Sequence, residues 1–127
     1  MQRRDINAPD APAPVGAYTH TIEVKGAERT VYISGQVGVD RQGNVPTDIE
    51  GQARNVWSNL EAQLRAVGMT LDNIVKLTTI LPDRADLAGS RSVREQVMGN
   101  RKPASTLIVA GLVAPQYKIE IEAIACA

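Results

Sequence analysis

The chain has 127 residues with 14 basic and 14 acidic side chains, one Cys and one His. That length suits a single domain, residues 1–127, and the balanced charge without a strongly basic segment argues against a nucleic-acid partner. One Cys and one His cannot supply a soft-ligand zinc set, and no apolar run is long enough to span a bilayer.

The N-terminal M-Q-R-R-D-I-N-A-P-D lacks the apolar stretch of a secretory signal. Cys126 has no partner for a disulfide and suits a reducing, cytoplasmic compartment. The hydrophobic share is 43% with no Phe and one Trp, so the core must be built from Val, Ile, Leu and Ala. A domain of this size leaves much of its surface exposed as a monomer, and an oligomer would bury more.

In chain order, a short strand is expected near Arg3. A-P-D-A-P-A-P-V-G (8–16) is Pro-rich and reads as an extended, tethered arm. T-H-T-I-E-V (19–24) and T-V-Y-I-S-G-Q-V (30–37) are strand-like. The K-G-A-E-R between them suggests that they form a hairpin. The first helix follows, with Thr47 and Glu50 read as a capping box. Ile49, Ala53, Val56, Trp57, Leu60, Leu64 and Val67 recur at spacings of three and four, and Gly68 supplies the stop.

I-V-K-L-T-T-I-L (74–81) is a β-branched strand that ends at Pro82. Asp83 can cap a second helix running to about Met98, with Gly99 after it. A-S-T-L-I-V-A (104–110) and K-I-E-I-E-A-I-A (118–125) complete the set. In the last strand Ile119, Ile121, Ala123 and Ala125 share one face, and Glu120, Glu122 and Ile124 the other. The whole reads as an α+β fold: a mixed sheet packed on two helices, with the second sheet face left for another subunit.

The second helix holds an anomaly. Its apolar arc contains Leu87, Val93, Val97 and Met98, with Arg94 inside the arc and Arg91 at its edge. Two readings stand side by side. Both arginines can snorkel, laying their stems on apolar surface. Alternatively, one guanidinium points into a pocket or intersubunit seam and grips an anion.

G-A-Y (16–18), S-G-Q (34–36), Asp40 with Gly43, Q-A (52–53), Asn59, Gly68, V-K (75–76), D-x-x-D (83–86), P-A (103–104) and the terminal E-I-E-A-I-A occur in one order. Together they resemble the YjgF/RidA family, the reactive-intermediate deaminases, along nearly the whole chain. The resemblance implies a chorismate-mutase-like fold and a homotrimer with a barrel-like core. It also implies clefts at subunit interfaces that take a small anionic metabolite, and hydrolysis of enamines and imines to carbonyl products and ammonia without metal or cofactor.

Carried over by position, Glu120 resembles the carboxylate that positions or deprotonates the attacking water, a role the chemistry requires because water loses a proton as it adds to C=N. Leu107 would contribute its backbone carbonyl. Tyr18 resembles the tyrosine of the cleft wall, and Ser34 with Gly35 the S-G turn that lines it. The alternatives are a structural Glu120, a Tyr18 that only packs the arm, and a His20 on the surface or in the core. Glu122 reads as solvated or salt-bridged.

One position departs from the pattern. Competent members of the family carry arginine after the P-A dipeptide, to clamp the substrate carboxylate, and here that position is Ser105. A charge-assisted hydrogen bond is worth about 1.5–3 kcal/mol, so the expected substrate preference is non-standard. Arg91 or Arg94 would then carry the positive charge from the helix instead. The alternative function is a non-catalytic trimer that binds a small molecule in the same cleft. Ribonuclease activity finds little support in a neutral chain with one His.

Overall fold

The structure is a computed structural model that describes residues 1–127. Strands β1 (Gln2–Ile6) and β2 (Thr21–Lys25) form a two-stranded antiparallel sheet. The main sheet contains β3 (Thr30–Val37), β4 (Ile74–Leu81), β5 (Ala104–Val109) and β6 (Glu120–Cys126), in the order β3-β6-β4-β5. β6 is antiparallel to both neighbours, and β4 and β5 are parallel. A parallel pair needs a crossover. Helix α2 (Leu87–Met98) supplies it, while α1 (Ile49–Ala66) joins β3 to β4.

The hairpin expected between residues 19–24 and 30–37 does not form. β2 pairs with β1 instead, and β3 pairs with the last strand. Side chains at the N-terminus explain the choice. Arg4 pairs with Glu23 directly across the β1–β2 ladder. Arg3 donates to the Ile74 carbonyl at 3.0 Å, which anchors β1 to the rest of the fold.

The capping box also needs correction. Asp48, not Thr47, is the N-cap of α1. Its backbone is extended and its carboxylate accepts from the Gly51 amide at 3.0 Å. The helix ends as expected at Gly68, whose φ of +71° is open only to glycine without strain. The Gly68 amide donates to Arg65 and the Met69 amide to Leu64. That bond pair is the Schellman arrangement, and the Leu64–Met69 apolar contact that goes with it is buried. Asp83 does cap, but it caps a short turn, Arg84–Asp86, that precedes α2.

The core lies between the two helices and one face of the main sheet. Trp57, Leu60 and Leu64 of α1 are sealed there with Leu77 and Leu81 of β4. Ile121, Ala123 and Ala125 of β6 complete the contact with Ile119, as the strand's alternation required. Each fully buried aliphatic side chain of this kind contributes roughly 1.5–3 kcal/mol. The other sheet face has no cover within the chain: Tyr32 is 77% exposed and Ile108 44%. No helix is long and apolar enough to cross a membrane.

Candidate functional site

The β4–α2–β5 crossover sets α2 over the outer edge of the main sheet. A cavity of about 400 Å³ opens there. Its walls are the arm from Val15 to Tyr18, Thr79 of β4, Ser90, Arg91, Arg94 and Glu95 of α2, and Ser105 to Leu107 of β5. The arm is held down just beyond Tyr18, where the Thr19 hydroxyl donates to the Lys102 carbonyl at 2.7 Å. Tyr18 is half-buried, and its phenol oxygen accepts from the Val15 amide at 3.3 Å. With that acceptor site filled, the phenolic proton is free to be donated.

Arg94 is half-buried while Arg91 is exposed. The Arg94 Nη2 donates to the Ala17 carbonyl and to the Ser105 hydroxyl, both at 2.9 Å. Ser105 Oγ donates in turn to the Pro103 carbonyl at 3.2 Å. Burial, and then the neighbouring charge of Arg91, lower the Arg94 pKa from the usual guanidinium value.

Glu120, Ser34 and Gly35 lie elsewhere. Directly paired residues of a sheet point to the same face. Leu107, Thr79 and Ile121 form one row, and Leu77, Ser105 and Ala123 another. Both rows face the helices, as the burial of Leu77, Thr79, Ile121 and Ala123 confirms. Ile108, Ile80, Glu120 and Val37 form a row of the opposite parity. Glu120 therefore faces the uncovered side, two strands in from Leu107, and one chain does not bring these two residues together.

Around Glu120 the backbone comes close. The β3–β6 register shifts between Ile33 and Gln36, so Ser34 and Gly35 form a bulge opposite Glu122. A Cβ on Gly35 would lie 2.7 Å from the Glu120 carboxyl carbon. While Glu120 holds this position, only glycine fits opposite it. Glu120 is half-buried, accepts no hydrogen bond from the chain and joins no salt bridge. Glu122 is exposed and unpaired.

The sequence-predicted site thus divides in two. Tyr18, Arg91, Arg94, Ser105 and Leu107 line one cavity. Ser34 and Gly35 sit with Glu120 on the other face. His20 precedes β2, is exposed, and meets Tyr18 edge to face at 5.5 Å. Sequence reasoning missed Thr79 and Ser90, buried polar residues in the cavity wall. It also missed Gln52, which is 0% exposed. Gln52 donates to the carbonyls of Pro46 and Gln116 and accepts from the Lys118 amide, each at 2.8 Å, and so fixes the chain just before Glu120. The available signal was position: Gln52 lies in the apolar stripe of α1 and Ser90 in that of α2.

A mixed sheet covered on one face by two helices, with an edge cavity and a free carboxylate on the bare face, defines an α+β domain of a known kind. The model of the family described as Endoribonuclease L-PSP matches residues 8–127, and the chain belongs to this family, YjgF/RidA. A RutC family protein of Pyrococcus horikoshii is 35% identical over 118 residues, 91% of each chain. The 2-iminobutanoate/2-iminopropanoate deaminase of Mus musculus is 33% identical over 97% of this chain and 90% of its own. Among solved structures, the Rid family protein YyfB of Yersinia pestis superposes with a TM-score of 0.85 at 31% identity, covering 100% of both chains. RidA of a Psychrobacter species superposes with a TM-score of 0.73 at 30% identity, covering 98% of this chain and 99% of that one.

Proposed function

We propose that this protein hydrolyses reactive enamine and imine intermediates, cleaving C=N to give a carbonyl product and ammonia. The proposal extends the imine deaminase activity that the names of several relatives carry. The observation that carries it is Glu120: a half-buried carboxylate with no cationic partner, packed so closely on Gly35 that a β-carbon there would displace it. Such a group is available as a base. In the proposed reaction Glu120 takes a proton from water as the oxygen adds to the C=N carbon. As the tetrahedral amino alcohol collapses to C=O, Glu120 passes its proton to the nitrogen, which leaves as ammonia; an enamine first takes a proton from solvent at carbon to become the imine. Tyr18 gives its phenolic proton to the imine nitrogen as water adds and regains one from the hydroxyl as the amino alcohol collapses, and the Leu107 carbonyl helps to hold the water. No step asks for a metal or cofactor.

Because Glu120 and the edge cavity face opposite sides of one sheet, the full site is proposed to form between chains. The uncovered faces would meet as a homotrimer with a barrel-like core, in the chorismate-mutase-like arrangement. The buried, lone Cys126 fits a reducing, cytoplasmic setting.

A coupled assay tests the proposal. 2-Aminoacrylate and larger enamines are generated in solution, and ammonia release is followed with the natural protein and Glu120→Gln. Acceleration that the substitution abolishes supports the hydrolase. No acceleration on any substrate sinks it and leaves the non-catalytic binding trimer, which the uncharged Ser105 favours. Sedimentation equilibrium should give the mass of three chains. A monomer with full activity would remove the intersubunit site.

A further inference from the structure

The Nε of Arg94 is the only buried side-chain nitrogen or oxygen in the chain without a hydrogen-bond partner. Native folds leave few such groups, and a charged one is costly. Nη2 is satisfied, but its partners are neutral: the Ala17 carbonyl and the Ser105 hydroxyl. Nη1 makes no hydrogen bond within the chain and, unlike Nε, is not sealed off. No carboxylate pairs with this guanidinium, although Glu95 is its neighbour in sequence and lines the same cavity.

The arrangement orients a cation without neutralising it. Ser105 Oγ accepts from Arg94 and donates to Pro103, so its proton and one of its two lone pairs are committed. Its contacts are those of a group that holds the arginine rather than one that touches a ligand. A snorkelling head sits free in water, as the exposed Arg91 can, whereas the Arg94 head is hydrogen-bonded to the arm and to β5. With Nη2 committed and Nε sealed, Nη1 is the nitrogen left to meet an anion in the cavity. A cavity of about 400 Å³ suits a small organic molecule.

We infer that Arg94 selects the carboxylate of the ligand, and that Ser105 is a positioning residue that fixes the guanidinium for it. The ligand class is a small organic monocarboxylate. The inference rests on the hydrolase reading only for the ligand's reactive end; selection of the anion stands apart from turnover.

The test is binding. 2-Oxobutanoate and its uncharged amide, 2-oxobutanamide, are titrated into the full chain by calorimetry. The natural protein should prefer the carboxylate by about tenfold or more, the worth of one charged hydrogen bond. Arg94→Gln should remove the preference by weakening 2-oxobutanoate alone. Arg94→Lys, which keeps the charge but loses the Nη2 bonds that orient it, should retain part of it and guards against loss of folding, checked by thermal melting. Arg91→Gln should cost less than Arg94→Gln. Ser105→Ala should lower the preference about threefold, and Ser105→Thr, which keeps the hydroxyl, should restore it. Equal binding of acid and amide by the natural protein overturns the inference. So does a preference that survives in both Arg94 variants. Neither result touches ammonia release, so the inference and the proposed hydrolysis can fail separately.

Discussion

Arg94 and Glu120 are two charged groups to which the fold gives no counter-ion, and they stand on opposite faces of one sheet. Arg94 is walled in at the sheet edge, where a carbonyl and a hydroxyl fix its direction. Glu120 has no hydrogen-bonding partner; a bulge and a glycine make room for it on the bare face. One half is oriented by polar contacts and the other by the absence of a side chain. The contrast means that the halves respond to different substitutions, and neither alone contains both the proposed anion grip and the proposed base.

The sharpest way to separate them is Glu120→Gln. Removing a general base typically costs about 10²–10⁴-fold in turnover. The expected outcome is that loss in ammonia release, with the preference for 2-oxobutanoate over its amide unchanged. If the substitution abolished that preference as well, the two halves would not be separable in function.

Gln52→Ala comes next in size. It would strand the Lys118 amide and the Pro46 and Gln116 carbonyls, and each buried unsatisfied group costs about 1–3 kcal/mol. Some would find water, so we expect a loss of about 3 kcal/mol in chemical denaturation. Lys118 lies two residues before Glu120, so turnover should fall in the folded variant while Arg94-dependent binding holds. A loss below about 1 kcal/mol would show that the loop before β6 does not lean on α1.

These expectations also mark what the sequence could and could not supply. The α1 stripe and the β6 alternation were readable because each is a local period with one solution. Arg94 was visible as an intruder in an apolar arc. Its bond to Ser105 was not, because that depends on how the crossover seats α2 over β5. The hairpin of residues 19–24 on 30–37 failed for a similar reason. A short loop with Gly26 makes local pairing look favourable, but the Arg4–Glu23 pair and the anchoring of Arg3 commit β2 to β1. Splitting Glu120 from Leu107 required the register of three strands. No spacing along the chain records that.

Gly35→Ala probes the Glu120 half more gently. The new methyl would sit 2.7 Å from the carboxyl carbon, so the Glu120 side chain must swing away. The bulge is on the surface, and little core is disturbed. We expect turnover to fall about tenfold, as a misplaced base requires, with thermal stability and carboxylate preference close to those of the natural protein. Full activity in this variant would mean that the Glu120 position seen here is not the one used.

The smallest effect compares the helices that support the halves. Asp48 caps α1 with a real hydrogen bond, whereas Asp86 at the start of α2 makes none. Thr47, the residue the sequence pattern favoured, lies one position outside the cap. Loss of a bonded N-cap costs about 1 kcal/mol. Asp48→Ala should therefore lower stability by about that much in urea denaturation, and Asp86→Ala and Thr47→Ala by no more than about 0.5 kcal/mol. If Thr47→Ala matched Asp48→Ala, the helix would begin one residue earlier than its hydrogen bonds indicate. That would also shift the turn from which α1 presents Gln52 to the loop before Glu120.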